Sequence, residues 1–171
     1  MKLTGQKCFL RAIEPHDVEH LFRWENDVDN WLVSGTKTPF SKAELQKYVT
    51  GIRDIYADRQ LRLIISTDQK PVGTIDLYDF DPGNKRAGVG ILIGETSERG
   101  KGLAQDALEV LIDYAFDILL LHQLYSSIPA YNDKSISLFE KLGFIQVGTR
   151  REWLKSAEGW HDEHLYQLLR P

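Results

Sequence analysis

A chain of 171 residues, 42% hydrophobic and 27% charged, has the length and make-up of one folded domain with its own core, here expected to span residues 1–171. A net charge of −4 without a long basic run excludes a nucleic-acid surface as the main function, and no apolar stretch approaches the ~18 residues of a membrane span, so neither nucleic acid nor membrane is expected as a partner. The single cysteine, Cys8, rules out an intrachain disulfide, and residues 1–7 lack the apolar core of a signal peptide, so a reducing, cytoplasmic location is expected.

In chain order, residues 8–13 read as a strand. Pro15-His16-Asp17 opens a helix with Val18, Leu21 and Phe22 at helical spacing. Residues 25–39 form a polar stretch. A second helix starts at Ser41, where Ser41 and Glu44 suit a capping box, and runs through Leu45, Tyr48, Val49, Ile52 and Ile55. Strands follow at 61–66 and 72–78, joined by the turn Asp68-Gln69-Lys70-Pro71. After a turn at 81–84 comes a central strand, 86–93, in which Gly88 and Gly90 suggest a bulge or a close backbone approach. A long helix from 102 to about 119 carries an apolar stripe. A strand at 124–128, a helix at 133–142 stopped by Gly143, and a hairpin of 145–154 with 160–169 complete the chain. The mixture predicts an α/β sheet with helices on both faces.

The most informative stretch is the run from the central strand through Arg99-Gly100-Lys101-Gly102-Leu103-Ala104 into the long helix. The first N–H groups of a helix lack internal partners and carry about half a positive charge. Glycines let a phosphate come close to the backbone, and Arg99 and Lys101 add full charges. The ATP-binding loop G-x-x-x-x-G-K-[ST] fails, because Gly102 follows Lys101 and Glu95 stands where its first glycine belongs. The dinucleotide pattern G-x-G-x-x-G fails from Gly88 at Ile93 and from Gly100 at Gln105.

Arg99-x-x-Gly102-x-Ala104 resembles the acyl-CoA pyrophosphate loop of the GNAT N-acetyltransferases. The segment Asn132-x-x-Ser135-x-x-Leu138-Phe139-Glu140-Lys141-x-Gly143-Phe144 resembles a second block of that family. Residues 113–116, 121–125 and 159–169, with Leu10-Arg11-Ala12 and Asp17 at the start, resemble the branch that acetylates ribosomal-protein N-termini and polyamines. The resemblance implies a single GNAT domain with a mixed, mostly antiparallel sheet of about seven strands, in which the strands at 86–93 and 124–128 splay apart. It implies acetyl transfer from acetyl-CoA to a primary amine, on a protein or peptide N-terminus or a small molecule, by direct attack. It allows a homodimer.

The resemblance also implies residue roles. The loop residues Arg99, Gly100, Lys101, Gly102, Leu103 and Ala104 hold the pyrophosphate, and Ile91, Leu92 and Ile93 line the pantetheine arm. Asn132 bonds that arm, with Ser135 beside it, although Asn132 also stands where a helix cap would. Trp24, Trp31 and Tyr78 are expected to border the acceptor site.

Two positions depart from the family pattern. Gly88 stands where many relatives carry a glutamate that serves as base, and Phe139 stands where many carry the tyrosine that serves as acid. Asp79 and Tyr131 are the substitutes carried forward, from a set that also held Asp76, Asp162 and Tyr125. An α-amine near pKa 8 is roughly 10% neutral at pH 7, and a lysine-type amine near 10.4 under ~0.1%. A site without a strong base therefore suits a weakly basic amine. Residues 33–40 carry Lys37 and no acid, which speaks against a polycation. A CoA-binding sensor with little turnover and a spermidine acetyltransferase stay open as alternatives. His16-x-x-Glu19-His20 matches a zinc-protease pattern, but the core stripe of its helix argues against it, and no metal is expected.

Overall fold

The computed structural model describes residues 3–51 and 53–171, with the side chains of Leu32 and Val33 excepted. Eight strands form one sheet: β1 (Leu3–Thr4), β2 (Phe9–Ala12), β3 (Leu61–Ser66), β4 (Pro71–Asp81), β5 (Arg86–Ile93), β6 (Gln123–Pro129), β7 (Ile145–Ser156) and β8 (Gly159–Leu169). Their order is β1-β2-β3-β4-β5-β6-β8-β7. All neighbours are antiparallel except β5 and β6, which run parallel. The mixed, mostly antiparallel sheet of about seven strands is as expected, with the short β1 as the eighth. β1 is only two residues long, too short for an alternation to show in the sequence.

Among the described residues six α-helices cover the sheet: α1 (Val18–Glu25), α2 (Val28–Ser34), α3 (Lys42–Thr50), α4 (Ile55–Asp58), α5 (Leu103–Asp113) and α6 (Asp133–Lys141). The alternation of β3, β4 and β5 sends Leu63, Ile65, Ile75, Leu77 and Val89 into a large core with Leu108, Leu111 and Phe139 of α5 and α6. On the opposite face Ile64 and Leu92 meet Leu21, Trp24, Leu45 and Val49 of α1 and α3.

Local signals account for most helix ends. The Ser41 hydroxyl accepts from the Glu44 amide and the Glu44 carboxylate accepts from the Ser41 amide, the reciprocal pair that opens α3. Asn132 caps α6 by accepting from the Ser135 amide, and Gly143 follows at φ 88°. At the first helix Pro15–Asp17 makes a 3₁₀ turn, and the fully buried Asp17 takes two 2.7 Å bonds from Arg11 of β2. After α5 the helix continues as a π turn over Tyr114–Ile118.

Two expectations are corrected. The polar stretch 25–39 contains α2, capped by Asp27 and ended by Gly35 at φ 72°. The helix from Ser41 ends at Thr50, and Ile55 belongs to α4, which has its own cap in Asp54. Ile52 lies outside the described residues.

Candidate functional site

β5 and β6 are paired only from Arg86↔Gln123 to Gly88↔Tyr125. Beyond that point the strands part, while β5 stays paired with β4 as far as Ile93. One edge of β5 from Val89 onward therefore lacks a partner strand among the described residues, and its backbone groups are available to an extended ligand. Ser126 takes one of them, donating to the Val89 carbonyl at 2.9 Å.

A cavity of about 670 Å³ opens at this gap. It is lined by Val89, Gly90, Ile91 and Leu92 of β5, by Ile128 and Pro129 of β6, and by Asn132, Ser135 and Phe139. Glu25, Glu44, Tyr48, Arg62, Asp76 and Tyr78 also line it, from α1, α3, β3 and β4, with Asp76 directly across from Gly90.

Below the gap, the loop into α5 has the backbone of an anion cradle. Gly100 and Gly102 sit at φ 76° and 80°, and Gly102 caps α5 without a side-chain bond to the first amides. The sequence did not point to the neighbour found here, Lys7. Its Nζ donates to the Lys101 carbonyl at 3.0 Å and would lie 2.6 Å from a Cβ at Gly102. Lys7 is held there by Asp106 of α5. That buried carboxylate accepts the backbone amides of Gln6, Lys7 and Cys8, each at 2.9 Å. Burial alone would raise the Asp106 pKa, but these donors and the Cys8 thiol outweigh it and hold it below the usual value. The thiol of Cys8 moves the other way, to about 12, through burial and the nearby carboxylate. The two expected loop cations are partly engaged elsewhere. Arg99 donates to the Ile93 carbonyl and to Asn30 of α2, so its guanidinium ties the loop to α2. Lys101 pairs with Glu98 at 2.9 Å. Free helix amides, two glycines and two lysines suit a pyrophosphate, and the open β5 edge suits an extended amide-bearing arm.

Within this cavity lining Arg62 is enclosed. Asp76 takes its Nε and Nη2 at 2.7 and 3.0 Å, and Glu25 takes Nη1 at 2.8 Å. With Glu44 the wall carries three carboxylates against one guanidinium.

Of the residues expected at the acceptor site, Tyr78 lines the cavity and the two tryptophans do not. Trp24 is 3% exposed, packs across Gly94 in the smaller core and donates to Glu95. Trp31 donates to the Glu25 carbonyl from α2, which bridges two helices. Ile91, Leu92, Asn132 and Ser135 line the cavity, whereas Ile93 ends β5 beyond it. Tyr131 stands at the surface, edge-on to His161 at 4.9 Å, outside the cavity lining. Asp79 lines a separate depression with Tyr125, Arg86 and Arg150. It sits at φ 47° where the β4–β5 register shifts between Tyr78 and Asp81, so its place in the fold is that of a bulge residue beside Tyr78.

Gly88 has a physical reason for being glycine. The ring of Tyr78, directly across from it on β4, lies where its side chain would go: a Cβ would fall 2.2 Å from Cε2, whereas at Gly90 a Cβ would make only an ordinary 3.9 Å contact with Cε1. Burial first, then the neighbouring Tyr125, push the Tyr78 phenol up to about 12, against a backbone hydrogen bond from Ser127. His16 and His20, the pair in the zinc-like pattern, lie in the 3₁₀ turn and on α1. Among the described residues no three histidine, cysteine or acidic side chains are grouped to hold a metal, and no helix is long and apolar enough to cross a membrane.

Residues 7–145 match the acetyltransferase (GNAT) domain family. The chain is 28% identical over 172 residues to the putative ribosomal N-acetyltransferase YdaF of Bacillus subtilis, covering 98% of this chain and 93% of that one. It is 26% identical over 142 residues to the spermidine N(1)-acetyltransferase of Escherichia coli K12, covering 81% and 73%. The spermidine N-acetyltransferase of Vibrio cholerae, solved with CoA and spermine, shares the fold with a TM-score of 0.87, 24% identity and 96% coverage of both chains. With the split between β5 and β6 and the loop before α5, these matches place the chain in the GNAT acetyltransferase family, as an enzyme that transfers the acetyl group of acetyl-CoA to an amine.

Proposed function

We propose that residues 1–171 act as one acetyltransferase domain whose preferred acceptor is a weakly basic primary amine, such as the α-amine of a peptide or an amino acid-like molecule. The observation that carries this is the Tyr78 ring over Gly88: the place where many relatives carry a basic glutamate is filled by a phenol that stays protonated at neutral pH. An acceptor that is already partly neutral needs least help in losing its proton. Acetyl-CoA is held by the amides of residues 99–104 with Lys7 and Lys101 at the pyrophosphate, and by the β5 edge at Ile91 and Leu92 with Asn132 and Ser135 along the arm. Ile93 and Arg99 fix the loop to β5. Trp24 acts from the core and Trp31 through its bond to the Glu25 carbonyl, by setting α1 and α2 over the cavity.

A second acceptor class has its own support. Residues 33–40 lack acids, but Glu25, Glu44 and Asp76 reach the same cavity from α1, α3 and β4. Their excess over Arg62 suits a polyamine such as spermidine, the acceptor in the name of one relative.

The test is CoA release at pH 7 across amines of rising pKa, from a tripeptide α-amine to spermidine. The expected result is a kcat/KM that falls as amine pKa rises. Spermidine turning over as fast as the α-amine would overturn the weakly basic reading in favour of the acidic-wall one. A sensor would instead gain stability with acetyl-CoA, about 2.7 kcal/mol at a hundredfold excess over Kd, without releasing CoA with any amine.

A further inference from the structure

The family's base and acid positions are empty of chemistry here, because Gly88 has no side chain and Phe139 no donor. Tyr78 occupies the vacated ground. Its ring takes the side-chain place of Gly88, beyond which β5 and β6 part, and the amide of Ser127 on β6 donates toward its oxygen. It therefore reaches across the vertex of the gap. Gly90 to Leu92 line the same cavity, and Asp76, which pairs with Arg62, stands across from Gly90, two residues along from the Tyr78–Gly88 pair. With the Ser127 amide donating toward its oxygen, the phenol keeps its own proton to donate. The bulge at Asp79 bends β4 just beyond Tyr78, and Tyr125 packs edge-on against the ring at 5.9 Å, so the ring is held from two sides.

We infer that Tyr78 is a catalytic residue, the side-chain hydrogen-bond donor to the oxyanion formed when the amine attacks the thioester carbonyl. This rests on acetyl transfer taking place in this cavity. As the C–N bond forms, the carbonyl π pair moves onto oxygen, where the Tyr78 O–H meets it. The C=O bond then re-forms and the C–S bond breaks. The proton released from nitrogen reaches the departing sulfur through water, giving amide and thiol, and Tyr78 ends the cycle with the proton it began with. A phenol near 12 suits this role better than that of an acid, since it stays a donor throughout the working range and holds its proton too tightly to give it to a thiolate.

Tyr78→Phe tests the inference, because phenylalanine keeps the ring over Gly88 and removes only the donor. Steady-state CoA release is measured with a peptide α-amine and with spermidine, alongside the thermal shift given by acetyl-CoA. The expected result is a loss of about 10²- to 10³-fold in kcat, the size seen when one oxyanion donor is removed. The loss should be similar for both amines, with KM for acetyl-CoA and the thermal shift retained, since the oxyanion is common to every acceptor. A Tyr78→Phe enzyme as fast as wild type, or a loss confined to the KM of one amine, would overturn it. The ranking of amines by the wild-type enzyme reports separately on the acceptor class.

Discussion

The Tyr78 ring stands where a side chain at Gly88 would have to go: a Cβ there would lie 2.2 Å from Cε2 and 2.4 Å from Cζ. The two residues face each other across β4 and β5, so Gly88 has no room for a side chain while the ring stays in place. Gly88 has no positive φ, so its backbone accepts alanine, and the cost of Gly88→Ala comes from the ring alone. Tyr125 blocks one way out for that ring. The expected loss is about 1–3 kcal/mol of stability, the usual range for overpacking. It should come with a fall in kcat as the phenol is displaced, and with acetyl-CoA binding retained. Denaturant unfolding and steady-state kinetics check both. Restoring the relatives' glutamate at this position would, by the same contact, disrupt the site.

Lys7 illustrates a cofactor contact made by a segment remote in sequence. It is exposed, and among the described residues its Nζ is anchored by the Lys101 carbonyl, so it is free to turn toward an anion at Gly102. Lys7→Ala is expected to raise the KM for acetyl-CoA about tenfold at low ionic strength, equivalent to roughly 1.4 kcal/mol. kcat should stay unchanged, because the lysine lies at the pyrophosphate end. The difference should shrink as salt is added and the exposed charge is screened. An unchanged KM at low salt would show that Lys7 only braces the loop.

Much of the architecture was legible in the residues, for identifiable reasons. The strands at 61–66 and 86–93 and the caps at Ser41 and Gly143 depend on local chemistry, and local chemistry is written in sequence. So is the glycine turn before α5. What depends on register or long-range contact was not legible. Gly88 and Gly90 suggested a close backbone approach, but only the β4–β5 pairing shows that a tyrosine ring makes it at Gly88. Trp24 and Trp31, expected to border the acceptor, lie outside the cavity lining, and an aromatic reads the same in sequence whether it faces a cavity or packs elsewhere. The seven-residue α2 is too short to display a helical period. The acidic wall is drawn from α1, α3 and β4, so no single loop revealed it.

Asp106 ties stability to the same cofactor loop. Its carboxylate gathers the amides of residues 6–8 onto α5, which is what places Lys7 beside Gly102. Because its pKa is lower in the folded protein than its ordinary value, its stabilisation is fully present above that ordinary value, about 3.8, and is lost as pH falls through the folded value. Asp106→Asn puts a donor amide against backbone donors. At pH 7 it is expected to cost about 3 kcal/mol, in line with hydrogen bonds to a charged group, and to lower Tm by roughly 6–12 °C. Below the folded pKa the wild-type carboxyl is itself neutral, so the two proteins should converge in stability as the pH drops under 3.8. Thermal melts from pH 7 to pH 2.5 measure this directly. A Tm gap that stays constant over the range would mean that shape rather than charge holds the segment. The same variant should also raise the KM for acetyl-CoA at neutral pH, because loosening residues 6–8 removes Lys7 from the loop, and combining Asp106→Asn with Lys7→Ala should add little to that increase.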